Sequence, residues 1–171
     1  CGASVREPQG FVLFQAARRG DAAAARLAAR SRAALEGKDP MSGLSALHIA
    51  VSAGNFDVLD VLLQAKAPLS ISDGSGDTPL HYAAGLTHHA AAFRIVGLLL
   101  HFKARADARG ARERTPLHAA ARSGSLEVIQ LLGSEGASVA DGDANGDLPL
   151  HEAARHGHVA AVQQLSRGGV P

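Results

Sequence analysis

The sequence predicts an all-α fold, a solenoid of stacked helix pairs with projecting β-hairpin loops, and three observations carry that expectation. A short phrase ending in histidine returns four times, as Ser45-Ala46-Leu47-His48, Thr78-Pro79-Leu80-His81, Thr115-Pro116-Leu117-His118 and Leu148-Pro149-Leu150-His151, with the histidines 33, 37 and 33 residues apart. Each phrase runs into an alanine-rich stretch and then an aliphatic segment apolar at i, i+3 and i+4, the signature of an amphipathic helix. Between units, turn formers recur, as in Asp73-Gly74-Ser75-Gly76 and Asp143-Ala144-Asn145-Gly146.

Taken in order, the first copy is divergent and aligns 34 residues upstream of the second, with Leu13-Phe14-Gln15-Ala16-Ala17 followed by Gly20. In the second, Ser45 opens a first helix and Val58–Leu63 supplies a second. In the third and fourth, Thr78 and Thr115 suit an N-cap, and the prolines after them occupy the first helical position, where a missing N–H costs nothing. Gly54, Gly124 and Gly157 stand six residues after their histidines, where a left-handed residue can end the first helix. The aliphatic runs at 95–100, 128–132 and 159–165 form the remaining second helices, with Leu98 and Leu131 expected to be buried between the helix layers. The third unit carries four extra residues near Gly85–Ala92, expected as an exposed connection between its two helices. In the fifth, Leu148 replaces the capping Thr and weakens that helix start.

Composition sets outer bounds. The chain has 171 residues, 17 Lys and Arg against 16 Asp and Glu, one Cys and no Trp, with aromatics at 4%. A formal charge of +1 lacks the basic excess of a nucleic-acid binder. No apolar run reaches the roughly 18–20 residues that span a bilayer. A single thiol makes neither an internal disulfide nor a zinc cluster.

The motifs Thr-Pro-Leu-His-x-Ala-Ala at 78–84 and 115–121, Leu-Pro-Leu-His-Glu-Ala-Ala at 148–154 and Ser-Ala-Leu-His-Ile-Ala-Val at 45–51 resemble those of ankyrin-repeat proteins. The resemblance divides the chain into an extension at 1–10 and a repeat domain at 11–171, with repeats at about 11–42, 43–75, 76–112, 113–145 and 146–171. It implies antiparallel helix pairs stacked side by side, hairpins projecting from them, and a protein that binds other proteins. It also makes His48, His81, His118 and His151 structural, each bonding a ring nitrogen to a neighbouring hairpin.

The other histidines do not assemble a metal site. His88 and His89 are adjacent and point to different faces of a helix, and His156 and His158 have no carboxylate or Cys framework, so surface contact is the expected role of these four. Gly74-Ser75-Gly76 lacks the further glycines or lysine of a phosphate loop, and no nucleophile elbow occurs. No catalytic residue, metal or cofactor is therefore expected. The expected location is the cytoplasm or another intracellular compartment, the alternatives being a lipid anchor on Cys1 or an organelle after removal of a presequence.

In family geometry the binding groove is lined by variable positions of the first helices and by hairpin tips. On this chain those are Arg18, Arg19, Ser52, Tyr82, Arg122, Arg155 and His156, with His88 and His89 in the insertion. Arg109, Arg112 and Arg114 are expected to cluster at one fingertip, attracting an acidic segment of a protein partner. Two functions compete: a scaffold or adaptor able to serve as a subunit of a larger complex, and an inhibitory regulator that masks the working surface of an enzyme or transcription factor.

Overall fold

A computed structural model describes residues 9–168. The chain divides into two compact units, Cys1–Gly74 and Ser75–Pro171. Among the described residues all regular structure is helical apart from one isolated bridge, Lys38 to Ser45. The all-α architecture read from the repeats is what the chain adopts.

The first unit holds α1 (Gln9–Arg19), α2 (Ala22–Ala28), α3 (Arg32–Glu36), α4 (Ala46–Ala53) and α5 (Phe56–Gln64). Its core is Leu13, Phe14, Ala17, Leu47, Val51, Leu59 and Leu62, packed where small alanines let the helices approach closely. Asp39 is buried in the loop before α4, where it accepts bonds from the Ser42 N–H (3.0 Å), the Ser42 hydroxyl (2.6 Å) and the Arg18 guanidinium (2.7 Å). The Ser42 hydroxyl first, and Arg18 with it, hold the Asp39 carboxyl below the usual carboxylate range.

The second unit holds α6 (Pro79–Ala84), α7 (His89–His101), α8 (Pro116–Ser123), α9 (Leu126–Ser134), α10 (Pro149–Arg155) and α11 (Val159–Ser166). First helices pack on first helices, α6 on α8 on α10, while α7, α9 and α11 form the second layer. Ile95, Val96, Leu99, Val128, Ile129, Leu132 and Leu165 fill the space between layers.

Two sequence expectations change here. In the leucine runs of α7 and α9, Leu99 and Leu132 are fully buried, whereas Leu98 and Leu131, the residues the sequence pattern places between the layers, are half-exposed. The insertion in the third repeat is also not a free loop. Helix α7 has 13 residues where α5 and α9 have 9, so the four extra residues form one additional helical turn. A whole turn preserves the buried face: Ala92, Ile95, Val96, Leu99 and Leu100 keep the i, i+3, i+4, i+7, i+8 spacing.

Candidate binding cleft on the first helices

The floor of the site is set by the repeat-locked histidines. At His81 the Thr78 N–H donates to Nδ1 (3.1 Å), the Thr78 hydroxyl lies 2.9 Å from the same nitrogen, and Nε2 meets the Arg114 carbonyl at 2.9 Å. His118 repeats the arrangement with Thr115 and the Asp147 carbonyl, at 3.0, 2.9 and 2.9 Å. A nitrogen facing a carbonyl must carry the hydrogen, so Nε2–H donates and Nδ1 accepts. The threonine thus caps its helix through the histidine. Each ring ties its own helix start to the hairpin of the following repeat. His151 keeps only the inner half, with the Leu148 N–H donating to Nδ1 at 2.8 Å, and its side chain is 51% exposed.

A second set of bonds joins the far ends of the first helices. The His158 ring donates to the Arg122 carbonyl (2.9 Å), and in the first unit Asn55 Nδ2 donates to the Ala17 carbonyl (2.7 Å). Ser125, at the matching place, is too short to reach back, and the Ser123 hydroxyl donates to the Ala84 carbonyl instead (3.1 Å). The His89 ring, on the added turn, then donates to the Ser123 carbonyl (3.1 Å). His89 and His158, which the sequence suggested as surface contacts, are inter-repeat ties. Their place at the start of each second helix, shared with Asn55, was the available signal.

Over this floor lies a cleft of about 570 Å³ across α6 and α8, with His156 of α10 also on its lining. Tyr82, Leu86, Ala119, Arg122, Ser123 and His156 line it, as do Asp77 and Arg114 from the hairpins. The sequence-selected Tyr82, Arg114, Arg122 and His156 are therefore brought together in one site. Arg18, Arg19 and Ser52 belong to the other unit, all exposed, and Arg18 serves the buried Asp39. His88 is exposed at the N-cap of α7.

The expected arginine fingertip does not form as a cluster of free cations. Arg109 donates to the Glu113 carbonyl (2.9 Å) and the Gly142 carbonyl (2.8 Å) and pairs with Asp141 (3.3 Å), lashing its hairpin to the next. Arg112 is exposed but sits in a left-handed backbone (φ 56°), followed by Glu113 (φ 61°), because this hairpin lacks the glycine found in its counterparts. Arg114 turns into the cleft. Arg155 is also engaged, with Glu152 at 2.7 Å and Asp147 at 3.0 Å. Among the described residues, no group of three or more His, Cys, Asp or Glu is placed to hold a metal ion, and no helix is long and apolar enough to cross a membrane. Cys1 lies outside the described residues.

Comparison with known proteins agrees with this architecture. A family model described as ankyrin repeats (3 copies) matches residues 13–92 and 87–170. The tyrosine-protein kinase HTK16 of Hydra vulgaris is 36% identical over 113 residues, 63% of this chain and 14% of that protein. The probable E3 ubiquitin-protein ligase XBOS33 of Oryza sativa subsp. japonica is 35% identical over 124 residues, 70% of this chain and 23% of its own length. NF-kappa-B inhibitor zeta of Bos taurus is 33% identical over 89 residues, 50% of this chain and 12% of that protein. The chain thus spans less than a quarter of each of these curated relatives.

Proposed function

The chain belongs to the ankyrin-repeat family, and from that premise we propose that it acts as a scaffold or adaptor whose protein partner docks in the cleft over α6, α8 and α10. Ankyrin repeats are protein-interaction modules and typically non-enzymatic, so the likeness to a kinase and a ligase, each over a small share of its length, brings no catalytic role here. One observation supports the site above all. The cleft wall carries side chains at positions that change from repeat to repeat, among them Tyr82, Leu86, Arg122 and His156, while the histidine ties beneath hold the backbone that carries them. Pre-organised side chains on rigid elements lower the ordering cost of binding. The likeness to NF-kappa-B inhibitor zeta favours a second reading, in which the same surface covers and silences the partner.

The test is mass spectrometry of proteins that copurify with the intact chain, alongside its Tyr82→Ala and Leu86→Ser variants. The expected result is a stoichiometric partner lost from both variants while their melting temperatures stay close to that of the parent. Retention of the partner by both would place the interface elsewhere. Titrating the pure chain into the partner's own assay then separates docking from inhibition.

A further inference from the structure

The second unit contains two classes of arginine. Arg109 and Arg155 are consumed by the fold, the first by Asp141 and two carbonyls, the second by Glu152 and Asp147. Arg114 and Arg122 line the cleft instead, and among the described residues neither forms an ion pair. The one side-chain bond of Arg114, to the Ala111 carbonyl, is long at 3.4 Å. Asp77 is the single carboxylate on the lining, and its Oδ1 is already occupied by the Ala111 N–H at 2.7 Å. The cleft therefore carries excess positive charge beside two arginines, Arg109 and Arg155, that are already neutralised.

The spacing of the two cations limits what they can hold. Arg114 stands just before the N-cap of α8 and Arg122 in its last turn, eight residues apart in sequence. At about 1.5 Å per residue that separates them by roughly 12 Å along the helix. An extended peptide rises about 3.3 Å per residue, so side chains four residues apart on it stand roughly 13 Å apart and on the same face. Ala119 lies between the two arginines on α8, and Leu86 and the ring of Tyr82 share the same lining, which offers an uncharged surface to small or flat groups.

Resting on the reading of this cleft as the partner site, we propose that its occupant is an extended acidic segment of a protein, with two carboxylates four residues apart. Arg114 grips one and Arg122 the other. Guanidinium forks bind carboxylates through paired hydrogen bonds, which fixes the peptide's register as well as its charge. The uncharged residues between the carboxylates lie over Tyr82, Leu86 and Ala119.

Fluorescence polarisation tests this on the full chain with labelled synthetic peptides. The probe carries the core Glu-Ala-Gly-Ala-Glu. Companions replace both Glu by Gln or move the second Glu to two or six residues from the first, and a short oligothymidylate represents a phosphate polymer. The expected result is binding of the probe about tenfold tighter than the Gln peptide and the misspaced peptides, weakened by salt. Arg114→Gln and Arg122→Gln should each lose most of that margin, while Arg26→Gln, on the exposed face of α2 in the first unit, keeps it. Thermal melting checks that each variant is folded. Absence of probe binding at millimolar concentration, equal binding of the Gln peptide, tighter binding of the oligothymidylate, or indifference to both arginine variants would each overturn the proposal. The two readings fail separately. If a copurifying partner is lost on Tyr82→Ala but unaffected by Arg114→Gln and Arg122→Gln, the cleft stands and the acidic occupant falls.

Discussion

The His118 ring has its Nε2 hydrogen committed to the Asp147 carbonyl and its Nδ1 lone pair to Thr115, which leaves no place for a second proton. Burial is the main cause that pushes its pKa below the ordinary imidazole value; Asp143 and Glu152 pull it up, and Arg109 opposes them. The unfolded chain then binds more protons than the folded one below about pH 6.5, so this group's stabilisation is complete above that pH. It is lost as pH falls toward the depressed folded value. Denaturant unfolding at a series of pH values should show stability declining on the acid side, with a shallower decline in His118→Gln; parallel curves would refute the assignment. A second residue-scale expectation concerns the leucines. Leu99→Ala and Leu132→Ala should each cost on the order of 2–5 kcal/mol, and Leu98→Ala and Leu131→Ala clearly less, as read from the same unfolding curves. The sequence could not separate these pairs, because consecutive leucines satisfy the helical period in more than one phase. The structural role of the repeating histidine was legible from its recurrence. Whether an arginine is free was not, since Arg109 is consumed by Gly142, 33 residues away, a contact that depends on how two hairpins pack.

Helix α7 shows how an element absorbs an irregular repeat. In the second and fourth repeats the first helix ends on Gly54 or Gly124, both left-handed (φ 66° and 76°), and the chain reverses within two residues. The third repeat has Thr87 at the corresponding place. Its first helix stops early at Ala84, Gly85 stays right-handed (φ −84°), and the reversal is spread over residues 85–88. The added turn of α7 restores the meeting of the layers, with Ala92 fully buried and His89 tied to Ser123. Insertion and missing glycine are thus one compensated change. Deleting residues 87–90 to regain a 33-residue unit should lower the melting temperature, since Ala91 would be forced into the left-handed region at a cost of about 1 kcal/mol and the His89 bond would vanish. The same deletion combined with Ala91→Gly should recover part of the loss. An unchanged melting temperature in the simple deletion would mean that the turn contributes only length. The repeat spacing revealed that four residues were extra, but their fate depended on helix phase and on a bond to a residue 34 positions on, neither of which is written locally.

Within each unit, stability comes from near neighbours, because each helix pair touches mainly the next. Far-ultraviolet circular dichroism should report a helical spectrum with strand content well below the globular average of roughly a fifth. The two sets of ties joining repeats are unequal in what they risk. His158 and Asn55 reach back to carbonyls at helix ends, and the bond of His158 is exposed, so water can replace it. His81 and His118 reach forward from buried positions, and a buried donor without an acceptor is costly. Removing a following repeat therefore injures the one before it more than the reverse. Removing residues 147–171 should return His118 to the ordinary imidazole range, which its ring resonances in a nuclear magnetic resonance titration would report; a pKa that stays depressed would show that the last repeat does not shield it. His151, the forward hook of the last described repeat, is bonded through Nδ1 to the Leu148 N–H, and its side chain is 51% exposed. A stack built this way has an arrow: within the second unit, fraying should begin at α11 and α10 and travel toward the N-terminus, as a zipper opens only from the end where its slider stands.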